Sequence, residues 1–513
     1  MKKLQRQNTL TKSAAIVTLL AVFERALGFL YRIVLSRLIG AEGLGVYQVS
    51  LSLFSLLLVI GTGGIPITLS RFIAKNQAEK DELGKRQNIG AGVCLCLFIT
   101  LPILLILFPF ADKLTFLFSD NRCIPVFRIL ILGLVFCSLF AVIRGAFWGD
   151  KNFFLPALLE LIEETVMVIV GVLLLRGETD ALSGAKLAAC AVTLSYLTSF
   201  ALSTLCFFIK GGRFCKPKKR LKALFNATLP ITCVRGASSL VNSAIAVLLP
   251  AMLIRAGLNT AESLKIFGVV SGMAMPVLSV PTTVVGSLAL VLVPELSGDY
   301  HSQNKTRLYK NIERGLRFPI LFSCFLIPFF FALGDKIGLL AFANPLAGEY
   351  IKTGCWILLP MSVTMISTSM LNSIGFEKQT FLFYFVGAAV TLICILLLPS
   401  VFGGYAYIFG LGLSFTATAV CNVLFLWKKC NGIFAESGKL LKRTVVFSLL
   451  LIIPCSLYGK WCAYLCAKVF SPALSLLITA LTLGIFSLLV HLLCGLFRFP
   501  PVMGKKRKKA KIL

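Results

Sequence analysis

The sequence predicts an all-α integral membrane protein of about fourteen transmembrane helices, and three observations lead there. Of 513 residues, 58% are hydrophobic and only 14% charged. Mean hydropathy is +0.90, far above that of a soluble globular chain. Apolar runs of about 20 residues, enough to cross a hydrocarbon layer of roughly 30 Å, recur along nearly the whole length. The ten-residue alternation of an outer-membrane barrel is missing.

The segment "MKKLQRQNTLTKSAA" leads directly into span 1 (14–38) with no A-x-A-like site before Glu24, which predicts an uncleaved first helix. Span 1 holds Arg25, Arg32 and Arg37. Each would cost roughly 2.5 to 3.5 kcal/mol at the centre of a lipid-facing helix, so each should face protein, water or a ligand. Arg25 and Arg32 are seven residues apart and fall within about 20° of one another, with Gly28 between them. Arg25 lies roughly 18 Å into the span, too deep for easy snorkelling. Arg32 and Arg37 sit nearer the outer end, where interfacial anchoring is the simpler account, most of all for Arg37. Glu24 adjoins Arg25 but points about 100° away.

Spans 2 to 4 (44–70, 89–110, 124–148) are mainly apolar. Span 5 (155–175) contains "LELIEETV", whose Glu160, Glu163 and Glu164 share one broad helical face. At least one is expected to pair with a cavity arginine or carry a proton, and Glu160 to face the cytoplasmic interface. Span 6 (185–209) ends at the basic "KGGRFCKPKKRLK". Span 7 (226–254) carries Arg235, Ser238, Ser239 and Asn242 at i, i+3, i+4 and i+7, a polar stripe suited either to a cavity wall or to contact between helices. Span 8 (264–293) is interrupted by Pro276 and Pro281, candidate hinges. Span 10 (353–374) is rich in hydroxyls and amides. Spans 9, 11, 12, 13 and 14 (317–340, 379–399, 405–427, 444–465, 472–496) complete the set.

The +30 net charge is distributed unevenly. With the N-terminus inside, about 36 of the 51 Lys and Arg fall in the termini and inner connections, which orients both termini to the cytoplasm. Attraction to anionic inner-leaflet lipid explains the tail "KKRKKAK" without nucleic acid. Most of the 17 cysteines sit singly in apolar spans, and only two histidines accompany them, so neither disulfide framework nor metal site is expected.

An internal repeat is expected at an offset of 227 residues. Leu69-Ser70 aligns with Leu296-Ser297, and Asp150-Lys151-Asn152 with Glu377-Lys378-Gln379. The organisation is then a six-helix lobe (1–209), a basic linker (210–225), a second six-helix lobe (226–427), a basic loop (428–443), two appended helices (444–496) and a basic tail (497–513). Two copies of an even-numbered unit share one topology, and such pseudo-symmetric lobes enclose a central cavity and rock against each other. Phosphate-loop, H-E-x-x-H and nucleophile–histidine signatures are absent, so no enzyme and no cofactor are expected.

"LGFLYRIVLSRLIGAEGLGVYQ" resembles the first-helix signature of the stage V sporulation protein B group, within the multidrug/oligosaccharidyl-lipid/polysaccharide flippase superfamily. "VIRGAFWGDKNFFLPALLELIEE", "GLNTAESLKIFGVVSGMAMPVLSVPTTVVGSLALVLVPELS" and the following basic segment resemble the same group in the same order. Arg25, Gly28, Phe29, Arg37 and Gly40 also match the more distant lipid II flippases, whereas Tyr31 replaces an arginine and Arg32 an acidic residue of theirs. Within the nearer group Trp148 replaces glutamine, Met167 replaces arginine, and Glu163 fits.

The resemblance implies flipping of a lipid-linked cell-wall precursor across the bacterial plasma membrane. The expected substrate is an undecaprenyl-pyrophosphate-linked saccharide, lipid II for peptidoglycan or spore cortex among them. Arg25, Arg32 and Arg235 would hold the head group, because the guanidinium fork suits pyrophosphate oxygens. Asn242 would bind sugar or peptide, Glu163 joins the substrate-binding set, and the lipid tail stays in the bilayer. A monomeric transport unit is expected. A cation-coupled multidrug exporter of the same superfamily is one alternative, a membrane glycosyltransferase or polymerase the other.

Overall fold

The computed structural model describes residues 2–178, 180–217, 220–429 and 438–496, and every regular element among them is helical. Lys218 and Lys219 of the linker, residues 430–437 of the basic loop and the tail from 497 lie outside the described residues. The first helices are α1 (Lys2–Thr62), α2 (Ile65–Ala78), α3 (Glu82–Leu107), α4 (Cys123–Gly149), α5 (Phe154–Leu174) and α6 (Ala181–Ile209). Then come α7 (Arg220–Arg255), α8 (Thr260–Phe267), a π-helical segment Gly268–Ala274, α9 (Met275–His301) and α10 (Lys305–Phe342). The remainder are α11 (Pro345–Gly354), α12 (Leu358–Ser373), α13 (Glu377–Leu397), α14 (Pro399–Phe402), α15 (Tyr405–Lys429), α16 (Gly438–Val469) and α17 (Pro472–Leu493).

Among the described residues, 12 continuous stretches are long and apolar enough to cross a membrane. The first, Ile16–Ala78, is 63 residues long and contains both of the first two predicted spans. It bends at Gly40, whose φ of 70° and ψ of −179° suit glycine alone. Predicted span 5 corresponds to α5, whose three glutamates make it too charged for that count. The twelve stretches and the fourteen spans therefore describe the same chain.

Packing divides the chain into two compact units. The first comprises Met1–Pro276, Ala341–Ala347 and Thr391–Gly410; the second comprises Val277–Leu340, Gly348–Val390 and Leu411–Leu513. This packing boundary falls within predicted span 8, just after the π-helical segment, and so places α7 with the first six spans.

In the first unit, Ile65, Leu69 and Ile73 repeat every fourth residue along α2 and interlock with Ile89 of α3, Val142, Ile143 and Ala146 of α4, and Phe207 of α6. In the second, Leu308, Ile312 and Leu316 of α10 do the same against Val285, Ala289 and Leu292 of α9 and Ile366 and Met370 of α12. Lipid tails are as apolar as these side chains, so such cores hold by close packing and polar contacts more than by exclusion of water.

Polar contacts accordingly mark the helix ends. Asp81 caps α3 by accepting from the Gly84 N–H at 2.7 Å, and Asp180 caps α6 through the Ser183 N–H at 2.8 Å. The Ser183 N–H holds the Asp180 carboxyl below its usual range. Asp150, from the repeated motif, receives Lys85 Nζ and Gln77 Nε2, each at 2.6 Å, tying the α4–α5 turn to α2 and α3. Within the second unit, Lys336 of α10 donates to Ala463 O at 3.0 Å and Ser475 Oγ at 2.6 Å, anchoring the appended helices.

Candidate functional site

The first unit contains a cavity of about 140 Å³ among α1, α4 and α5, lined by Glu24, Leu58, Thr62, Cys137, Phe140, Ala141, Arg144, Glu160, Glu163 and Glu164. Four carboxylates share it with one guanidinium. Three of the carboxylates come from "LELIEETV", because i, i+3 and i+4 positions lie on one face of α5.

Arg144 is fixed from three sides. Its Nη1 donates to Glu160 Oε1. Its guanidinium also lies over Phe140, 5.8 Å to the ring centroid, and over Trp148, 5.3 Å, one helical turn to either side on α4. Glu160 is half-buried and takes its counter-charge from Arg144 on the facing helix.

Glu163 is inside the same cavity, with Oε2 buried and without a hydrogen-bond partner; Arg144 Nε is likewise buried and unpartnered. A buried acceptor and a buried donor facing an enclosed polar space are the arrangement that water or another small polar species satisfies. Glu164 reaches α1 at Gly28, where any Cβ would lie 2.6 Å from Oε1. Glu24, not Arg25, lines the cavity, and Arg25 still acts on it electrostatically although the two point about 100° apart on α1.

The predicted cations are placed differently. Arg25 and Arg32 are exposed on α1, and neither forms an ion pair among the described residues. Arg32 is within electrostatic reach of Glu164, and Arg25 of Glu24. Arg37 is exposed and donates through Nε to Ala341 O at 2.8 Å. On α7, Arg235 and Asn242 are exposed while Ser239 is buried, so the stripe divides between an open side and a packed one. Arg235 Nη1 donates to Gly63 O at 2.9 Å, and Thr232 Oγ1 accepts the Gly64 N–H at 3.1 Å, so α7 satisfies the backbone where α1 gives way to α2. Glu163 thus joins Glu24, Glu160, Glu164 and Arg144, whereas Arg25, Arg32, Arg235 and Asn242 stand on open helix faces. Arg144 escaped the sequence reading; its signal was an arginine deep in an apolar span with aromatic residues four positions away on both sides.

Residues 10–298 match the family described as polysaccharide biosynthesis protein. The stage V sporulation protein B of Bacillus subtilis (strain 168) is 25% identical over 370 residues, covering 67% of this chain and 69% of that protein. Among solved structures, the lipid II flippase MurJ in an inward closed conformation superposes with a TM-score of 0.70 at 16% identity, covering 94% of this chain and 98% of that one. An inward-facing multidrug resistance MATE transporter of the MOP superfamily gives 0.67 at 15% identity, covering 80% and 96%. The fold is that of these transporters.

Proposed function

The chain belongs to the polysaccharide biosynthesis protein family, and on that premise we propose that it flips an undecaprenyl-pyrophosphate-linked cell-wall saccharide, such as lipid II, across the bacterial plasma membrane by alternating access. The observation that carries this reading is the pair Arg25 and Arg32, exposed on one face of a membrane-spanning helix with no carboxylate at ion-pair distance among the described residues. Two guanidiniums within a span that only act at a distance on Glu24 and Glu164 keep their donors open to a visiting anion. Pyrophosphate supplies charge and paired oxygens suited to the fork. Arg235 and Asn242, exposed on α7, complete the head-group set.

The membrane potential favours export. Moving two negative charges outward across an inside-negative potential of about 100 mV gains roughly 4.6 kcal/mol, at about 2.3 per charge. No nucleotide site is needed for that direction. The cytoplasmic orientation of both termini follows from the distribution of Lys and Arg.

The acidic cavity and the likeness to a multidrug transporter favour a second reading, export of organic cations. The exposed arginines weigh against it, because they repel such cargo. Purified protein in liposomes, given a fluorescent lipid-linked precursor and separately an organic cation, distinguishes the two. Precursor movement, lost in Arg25→Glu and Arg32→Glu proteins that insert and fold normally, is expected. Full precursor transport by those variants, or movement of the cation alone, refutes the head-group reading.

A further inference from the structure

The two groups of ionisable residues in the first unit share a wall. Arg25 and Arg32 are exposed on α1. Behind them, Glu24 of the same helix and Glu164 of α5, which packs against Gly28 midway between the arginines, line the cavity. We propose that binding of a pyrophosphate head group at Arg25 and Arg32 is coupled to proton uptake by the carboxylates behind α1, with Glu164 and Glu163 as the acceptors. This rests on the head-group reading above.

The charge count motivates it. The cavity presents four carboxylates, Glu24, Glu160, Glu163 and Glu164. Three guanidiniums act on them: Arg144 bonded to Glu160, Arg25 near Glu24 and Arg32 near Glu164. With every group ionised the sum is one negative charge. A pyrophosphate diester at Arg25 and Arg32 adds two more and takes up the counter-charge that Glu24 and Glu164 had. Charges at this spacing away from bulk water interact far more strongly than in solution, so the carboxylates compensate by gaining a cation.

The cation this wall is suited to take is a proton, which needs a single acceptor oxygen rather than a coordination shell. Glu163 Oε2 is buried on the cavity wall without a hydrogen bond of its own, its carboxyl lying beside the Ser199 hydroxyl of α6. The cavity has room for several waters to deliver the proton. Each uptake converts one carboxylate to a carboxylic acid, the proton coming from solvent. The other ionisable groups facing the cluster are Tyr31 and Tyr47 of α1, Cys137 of α4 and Tyr196 of α6, all neutral near pH 7 and unable to replace the carboxylates.

Coupling is reciprocal, so acid must strengthen head-group binding as much as binding strengthens protonation. The test is calorimetric titration of the full chain in detergent with geranyl pyrophosphate, repeated in buffers of different ionisation enthalpy. The dependence of the observed heat on buffer gives protons exchanged per ligand. Wild-type protein should take up more protons per ligand than Glu164→Gln or Glu163→Gln, with the ligand's own ionisation common to all three. Wild-type affinity should also rise relative to Glu164→Gln as pH falls, by up to about tenfold per pH unit for one proton. If a variant fails to fold, the wild-type buffer dependence decides: absence of net uptake overturns the coupling. Equal proton exchange in wild type and both variants overturns it too while leaving the head-group reading standing. Absence of binding, or binding unaffected by Arg25→Gln with Arg32→Gln, overturns the head-group reading itself.

Discussion

The Glu164 carboxylate of α5 packs so closely on Gly28 of α1 that a Cβ at position 28 would lie 2.6 Å from Oε1. In Gly28→Ala the new Cβ meets only the far end of the flexible Glu164 side chain, which moves aside at small cost, while alanine gains about 1 kcal/mol over glycine in a helix interior. Net stabilisation of up to about 1 kcal/mol is expected, and slightly more in Glu164→Ala, where nothing has to move. Thermal unfolding of the two single variants and the double variant measures the difference as a coupling; strong destabilisation by Gly28→Ala in the wild-type background would mean that the Glu164 carboxylate is held rigidly in place.

Arg144 holds the acidic wall together through Glu160, Phe140 and Trp148. Truncating it leaves Glu160 and Glu163 facing each other without a counter-charge. Both partners keep about a quarter of their side-chain surface, 27% and 26%, so solvent softens the loss. Arg144→Ala should cost about 1 to 3 kcal/mol in thermal unfolding at pH 7. Arg144→Lys keeps the charge but loses planar stacking and should fall between. Much of the Arg144→Ala cost should vanish when Glu160→Gln is added, because the unpaired charge goes too. An undiminished cost in that double variant would contradict the ion-pair account.

Much of this was legible in the sequence, for reasons visible in single residues. Hydropathy located the helices because each must satisfy its own backbone within lipid. That Glu163 shares a face with Glu164 could be read because periodicity determines which side of a helix a residue occupies. Glu160 and Arg144 could not. Their pairing depends on how α4 packs beside α5, a fact of tertiary structure that spacing along either helix does not encode. Gly40 stood out as part of a motif, but that it joins two spans into one bent helix required its positive φ. Pro276 stood out as a candidate hinge, but the π-helical segment just before it reads in sequence as ordinary helix.

Arg235 and Thr232 both serve the junction after α1, yet they should fail differently. The Gly64 N–H loses its acceptor in Thr232→Val, which should cost about 1 to 2 kcal/mol of stability with transport little changed per folded molecule. Arg235 is exposed and gives Gly63 O only one of its donors. Arg235→Gln should change stability by less than about 1 kcal/mol but lower precursor transport in liposomes at least tenfold, the loss expected when one charge-assisted contact to the head group is removed. Unchanged transport by Arg235→Gln would remove this residue from the head-group set.

Arg122, at the start of α4, donates to Asp120 Oδ2 and to Glu42 Oε1, the latter at 2.6 Å, and so ties α4 to the α1 segment just beyond the Gly40 bend. Its hydrogen bond to Asp120 first, and that to Glu42 second, hold the guanidinium above its usual range. A raised folded-state value means that the stabilisation is fully present below the unfolded value and lost only as pH rises through the folded one. For arginine both lie far above neutrality, so the contribution should be flat through the ordinary working range. With a third of the Arg122 and Glu42 side chains exposed, the loss in Arg122→Ala should be about 1 kcal/mol, and added salt should diminish it. The melting-temperature difference between wild type and Arg122→Ala should therefore be the same at pH 7 and pH 9 and smaller at high ionic strength; a difference that halves between those pH values would show that another group carries the contact.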